Sequence, residues 1–107
     1  MQLTGKQKRY LRGLGHGLKP AMNMGKKGID SDVLAQFEQI LLARELVKIR
    51  LLNNCPLDAP KCARLIHEGT GATLAQKLGH TLLFYRPHPE SPAIRLPIAV
   101  EPPAELT

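Results

Sequence analysis

Residues 21–52 set the tightest limit on what this 107-residue chain can fold into. Ala21-Met22-Asn23-Met24 is a short apolar run between Pro20 and Gly25, the mark of a brief strand. Behind Asp30 and Ser31, either of which can cap a helix, Val33, Leu34, Phe37, Ile40 and Leu41 recur at helical spacing. From Glu45 to Leu52 the period changes to two, with Val47, Ile49 and Leu51 on one face and Lys48 and Arg50 on the other. Strand, loop, helix and strand in about thirty residues make a βαβ unit. It requires parallel strands and a right-handed crossover. The chain is long enough for one core and too short for two.

The flanks supply the remaining elements. Thr4-Gly5-Lys6-Gln7 fits a capping box, so a helix is expected to begin there. At 100° per residue from Lys6, the apolar residues Leu3, Tyr10, Leu11, Leu14 and Leu18 fall within about 40–140°, the expected core side. Lys8, Arg12, Arg9 and Lys6 fall on the opposite side at roughly 200°, 240°, 300° and 360°. Gly13, Gly15 and Gly17 place the end of this helix near Leu14, and Lys19-Pro20 leads out in extended form. After the turn signal Asn53-Asn54, Asp58 caps a third helix with Pro60 in its first turn and Ala59, Cys62, Ala63 and Ile66 inward. Thr73–Leu78 and Thr81–Arg86 flank Gly79-His80 as a hairpin. Six of the nine prolines lie from Pro87 onward. Residues 88–107 are therefore expected to be an extended or disordered tail after a domain of residues 1–87, with an edge strand near 93–99.

Charge is segregated along the chain. Residues 1–29 hold seven basic residues and no acid, whereas residues 30–107 hold eight basic and nine acidic ones, giving +7 and −1. The excess positive charge thus ends with the segment Met24-Gly25-Lys26-Lys27-Gly28-Ile29. Such a distribution points to a face that meets a polyanion. Glycine tolerates positive φ and close backbone approach, and a helix start presents unpaired N–H groups. Taken alone, Gly25–Gly28 reads first as a lysine-bearing turn between a strand and a helix.

The order of these blocks resembles the bacterial YhbY family of CRM (chloroplast RNA splicing and ribosome maturation) domains over about residues 2–87. The resemblance rests on Leu3-Thr4 with Gln7-Lys8, on Gly13 through Pro20, and on Met24 through Ile29. It continues with Glu45-Leu46-Val47-Lys48-Ile49, Gly69 through Ala72, Gly79, and Leu83-Phe84-Tyr85-Arg86-Pro87. Gly15 and Gly17 depart from it, as does the proline-rich tail. It implies an α/β fold in two layers, an α-β-α-β-α-β-β domain with a mixed four-stranded sheet, similar to the C-terminal domain of translation initiation factor three. It also implies binding of ribosomal RNA in precursors of the large ribosomal subunit, with Gly25, Lys26, Lys27 and Gly28 similar to the backbone-clamping loop of KH modules. With this context Lys26 and Lys27 are expected at phosphates, as is the acid-free face of Lys6, Lys8, Arg9 and Arg12. Lys19, Arg86, Lys48 and Arg50 are weaker candidates whose placement depends on sheet packing.

Other chemistry finds little support in the sequence. Tyr10, Phe37, Phe84 and Tyr85 are too few, and too committed to core positions, for a base-stacking platform. One of Phe84 and Tyr85 must face inward on a strand. Recognition of backbone and shape in structured RNA is expected instead. Cys55, Cys62 and His67 match no common zinc spacing, so no metal or other cofactor is expected, and Cys62 suits a small core position. His16, His67, His80 and His88 stand singly, without a nucleophile motif or paired carboxylates, so no enzyme and no small-molecule substrate are expected; His16 suits a helix cap or a phosphate contact. No apolar run resembles a signal peptide or membrane span, and two cysteines do not make a disulfide scaffold. A cytoplasmic monomer follows as the expectation. The competing reading is a protein-interaction adaptor on pre-ribosomal particles with incidental RNA affinity.

Overall fold

The computed structural model describes residues 2–97. Its elements are α1 (Gly5–Gly15), β1 (Met22–Met24), α2 (Ser31–Arg44), β2 (Leu46–Leu51), α3 (Ala59–Thr70), β3 (Thr73–Leu78) and β4 (Thr81–Tyr85). The three helix starts form as their sequences direct. Thr4 Oγ1 accepts from the Gln7 N–H while Gln7 Oε1 accepts from the Thr4 N–H, both at 3.1 Å. Asp30 Oδ1 accepts from Val33 at 2.8 Å and Asp58 Oδ1 from Lys61 at 2.9 Å. Gly71 ends α3 in the left-handed region at φ 78°, where a side chain would be strained.

The strands form one mixed sheet in the order β1-β2-β4-β3, with β1 parallel to β2 and the other pairs antiparallel. Alternation along the strands divides the core in two. On one face Val47, Ile49, Leu82 and Phe84 meet Phe37 and Leu41 of α2 and Cys62 and Ile66 of α3. Phe37 and Phe84 pack edge to face with ring centroids 5.5 Å apart. Helices α2 and α3 approach closely at Gly69, where an added Cβ would lie 2.8 Å from Leu34 Cδ1. On the other face Leu46, Ala75, Leu83 and Tyr85 meet Leu11 of α1. Phe84 and Tyr85 are both buried, one on each face, because both faces are covered at that end of the sheet.

The first helix ends near Leu14 as expected, at Gly15, and closes with the Leu18 N–H on the Gly15 carbonyl at 3.0 Å. It departs from expectation in its buried stripe, which is narrower and comprises Gln7, Leu11 and Gly15. Tyr10, Leu14 and Leu18, expected in the core, are 42%, 44% and 38% exposed. The reason is geometric. Helix α1 lies on its face without a second helix against its flank, and it settles on the sheet through Gly15, where a Cβ would stand 2.7 Å from Leu83 Cδ2.

Past residue 87 the chain folds back onto this smaller core. Ile94 and Leu96 pack beside Leu3 against it, and the Pro97 carbonyl accepts from Gln7 Nε2 at 3.0 Å. The Glu45 carboxylate, at the junction of α2 and β2, accepts backbone N–H groups from His88 (2.7 Å), Ala93 (2.9 Å) and Ile94 (2.8 Å). No strand forms over residues 93–97, where the docked segment is irregular; residues 98 and 99 of the expected edge strand lie outside the described residues.

Candidate nucleic-acid interface

The Gly25–Gly28 loop leaves the end of β1 as a tight turn closed by the Gly28 N–H on the Gly25 carbonyl at 2.9 Å. Gly28 takes φ 66° and is buried, and a Cβ there would sit 3.4 Å from Pro56. Gly25 faces Asn54, whose Oδ1 would be 3.4 Å from an added Cβ. The two glycines thus seat the turn against the β2–α3 connection, and Lys26 and Lys27 between them are exposed. The start of α2 contributes less than its position suggests. Asp30 already occupies the Val33 N–H, and Asp32 adds a second carboxylate in the first turn. A phosphate at this loop would meet the lysines and the turn, with acid at the helix end.

The remaining sequence candidates fall into two groups. Lys6, Lys8, Arg9 and Arg12 lie exposed on α1, and Lys19 is exposed in the segment leading to β1. Lys48 and Arg50 alternate with the buried Val47, Ile49 and Leu51, so they face the α1 side of the sheet. Arg50 pairs in register with Asn23, two residues before the loop opens at Gly25. Among the described residues Lys8, Arg9, Arg12, Lys19, Lys26, Lys27, Lys48 and Arg50 have no acidic partner. Lys48 and Arg50 therefore join the α1 cations on one side of the molecule, a placement the sequence left open.

Arg86 does not join them. It leaves the far end of β4, where Tyr85 pairs with Leu46, so most of the length of β2 separates it from the loop. Its guanidinium grips Glu38 of α2 in a bidentate pair at 2.7 and 2.5 Å and also donates to the Thr70 carbonyl at 2.7 Å. The hydrogen bond from Arg86 holds the Glu38 carboxyl below its usual range, and the same bond raises Arg86 above its own. Its charge is engaged in tying α2 and α3 to the sheet, which sets it apart from the cations without acidic partners. The sequence reading assigns no role to the carboxylates of Glu38 and Glu45. Neither carries a local signal, because their partners lie 43 to 49 residues away in the chain.

The other polar candidates are dispersed. Cys62 is fully buried, and burial together with nearby Cys55 pushes its thiol up to about 11. His67 Nδ1 is 2.9 Å from the Ala72 carbonyl, and its ring serves the end of α3. His16 sits at the C-cap of α1, where its own backbone N–H donates to the Gly13 carbonyl. Among the described residues no three His, Cys, Asp or Glu side chains gather as a metal site, and no helix is long and apolar enough to cross a membrane.

This architecture, three helices around a mixed β1-β2-β4-β3 sheet with a glycine-bracketed basic turn, defines a compact α/β module. The family model of the CRS1/YhbY (CRM) domain matches residues 3–86, and the chain belongs to that family. It is 39% identical over 95 residues to the probable RNA-binding protein YqeI of Bacillus subtilis, covering 89% of this chain and 99% of the relative. An RNA-binding protein of Haemophilus influenzae is 36% identical over 95 residues, covering 89% and 95%. The solution structure of SAV1595 from Staphylococcus aureus superposes with a TM-score of 0.75 at 40% identity, covering 90% of this chain and all of that one.

Proposed function

We propose that this protein binds structured ribosomal RNA and acts in assembly of the large ribosomal subunit, through phosphate contacts and without catalysis. One observation carries the reading: Lys8, Arg9 and Arg12 of α1, Lys19, Lys48 and Arg50 of β2, and Lys26 and Lys27 of the Gly25–Gly28 loop have no acidic partners among the described residues, whereas Arg86 at the other end of the sheet does. Cations left without acidic partners are what a polyanion requires. The names of the relatives support RNA as the partner, and the family resemblance supports a ribosomal one. Lysines and turn N–H groups hold the backbone while the shape of the surface selects the RNA.

A salt titration on a fragment of large-subunit ribosomal RNA tests this. Replacing Lys26 and Lys27 together by alanine is expected to lower the log–log salt slope by about two. An unchanged slope would remove the loop from the interface. The exposed Tyr10 and Leu14 favour a second reading, an adaptor that docks a protein through the flank of α1. Association with ribosomal particles that survives ribonuclease would select it.

A further inference from the structure

Helix α1 covers only part of the sheet face it lies on. Asn23, Arg50, Thr81 and Leu78 form one row in register across all four strands, and none of the four is buried. Leu78 is 68% exposed, more than any other large apolar side chain among the described residues. Beside this row Leu18, Pro20, Leu78, Lys48, Gln76 and Thr81 surround a recess of about 190 Å³, with buried Leu83 also in its lining. Drug-sized ligands need about 300–1,000 Å³. This recess suits a single ring system.

Its chemistry is mixed in an informative way. Four of the lining side chains are aliphatic and one is an amine; the Gln76 amide and the Thr81 hydroxyl have no hydrogen-bond partner among the described residues. Phosphate does not exchange water for an aliphatic wall. A purely apolar group would gain nothing from Lys48 and Arg50, which stand about 6.5–7 Å apart along β2. A nucleobase attached to its own sugar and phosphates meets every part of the site. Its faces lie against Leu18, Pro20 and Leu78, its edge meets Gln76 and Thr81, and the adjoining phosphates meet Lys48 and Arg50.

We infer that this recess receives one unpaired base of the bound RNA. The inference rests on the RNA-binding reading above and deepens it, adding a single-nucleotide contact to backbone recognition. Aliphatic walls fill the place that aromatic platforms take in other RNA-binding folds.

Three matched RNA hairpins test it: one fully paired stem, one with a single unpaired 2-aminopurine, and one with an abasic residue at that position. The protein is expected to bind the 2-aminopurine hairpin about five- to tenfold more tightly than the other two, with a change in base fluorescence. Leu78→Ser is expected to abolish the preference and the fluorescence change, leaving affinity for the fully paired stem and the unfolding midpoint unaltered. Leu18→Ala, on another wall, should act in the same direction. Equal affinity of the unaltered protein for all three hairpins would overturn the recess while leaving RNA binding intact. Failure to bind any of them would overturn both readings. If Leu78→Ser keeps the preference and instead converts a dimer to a monomer, the recess takes a second copy and the base assignment falls.

Discussion

The two ends of the sheet treat charge in opposite ways. At the Tyr85 end Arg86 is locked to Glu38 and Thr70, and the Glu45 carboxylate gathers three backbone N–H groups, so charge there is internal structure. At the Met24 end Lys26, Lys27 and Arg50 are exposed and form no ion pair with an acid among the described residues. The residue types are the same. The presence of an acid within reach decides whether a cation holds the fold or faces a partner, and substitutions at the two ends should separate the two roles.

The largest effect should come from Arg86→Ala. It strands Glu38 and opens the Thr70 carbonyl, and because the pair is partly exposed the expected loss is about 2–3 kcal/mol in urea unfolding. RNA affinity of the folded variant should change less than about twofold; a loss in step with the Lys26/Lys27 variant would return Arg86 to the interface. Glu45→Ala should cost about 2 kcal/mol, with faster hydrogen exchange at Ala93 and Ile94.

Glu45 also predicts a pH dependence. Burial pushes its carboxyl up, but the N–H donations from His88, Ile94 and Ala93, with the charge of His88, outweigh burial and hold it below the usual value. A carboxyl lowered on folding stabilises the fold above its unfolded value near about 4.3, and that contribution is lost as pH falls through the folded value. Protection of the Ala93 and Ile94 amides should therefore fail on acidification before the sheet melts, and should be insensitive to acid in Glu45→Gln.

Gly28→Ala should cost about 1 kcal/mol, from its positive φ and the nearby Pro56 ring. The Lys26→Ala/Lys27→Ala variant should be smallest of all in stability, within about 0.5 kcal/mol, since both side chains are exposed. A large loss of stability there would erase the contrast between the two ends.

The sequence reveals most of the fold because its signals are local. Thr4 with Gln7, Asp30 and Asp58 announce helix starts, and the alternation in Val47-Lys48-Ile49-Arg50-Leu51 states which side chains share a face. Tertiary facts were not legible. A helical wheel groups Leu14 and Leu18 with Leu11, but it cannot show that one helix alone covers that face of the sheet. Arg86 looks like any strand-end cation until Glu38 is brought to it from 48 residues away. Proline content describes residues 88–97 as extended, yet their docking depends on backbone N–H groups meeting a carboxylate, which composition does not encode.

The docked segment bears on where this domain can be cut. The family pattern ends at residue 86, yet the three donors to Glu45 and the acceptor for Gln7 all come later in the chain. A fragment trimmed to the family limit would keep the carboxylate of a residue only 3% exposed and remove its donors, and it would uncover the apolar surface beneath Ile94 and Leu96. Such a fragment would be prone to self-association for reasons unrelated to its ligand, whereas one ending after Pro97 would retain the seal.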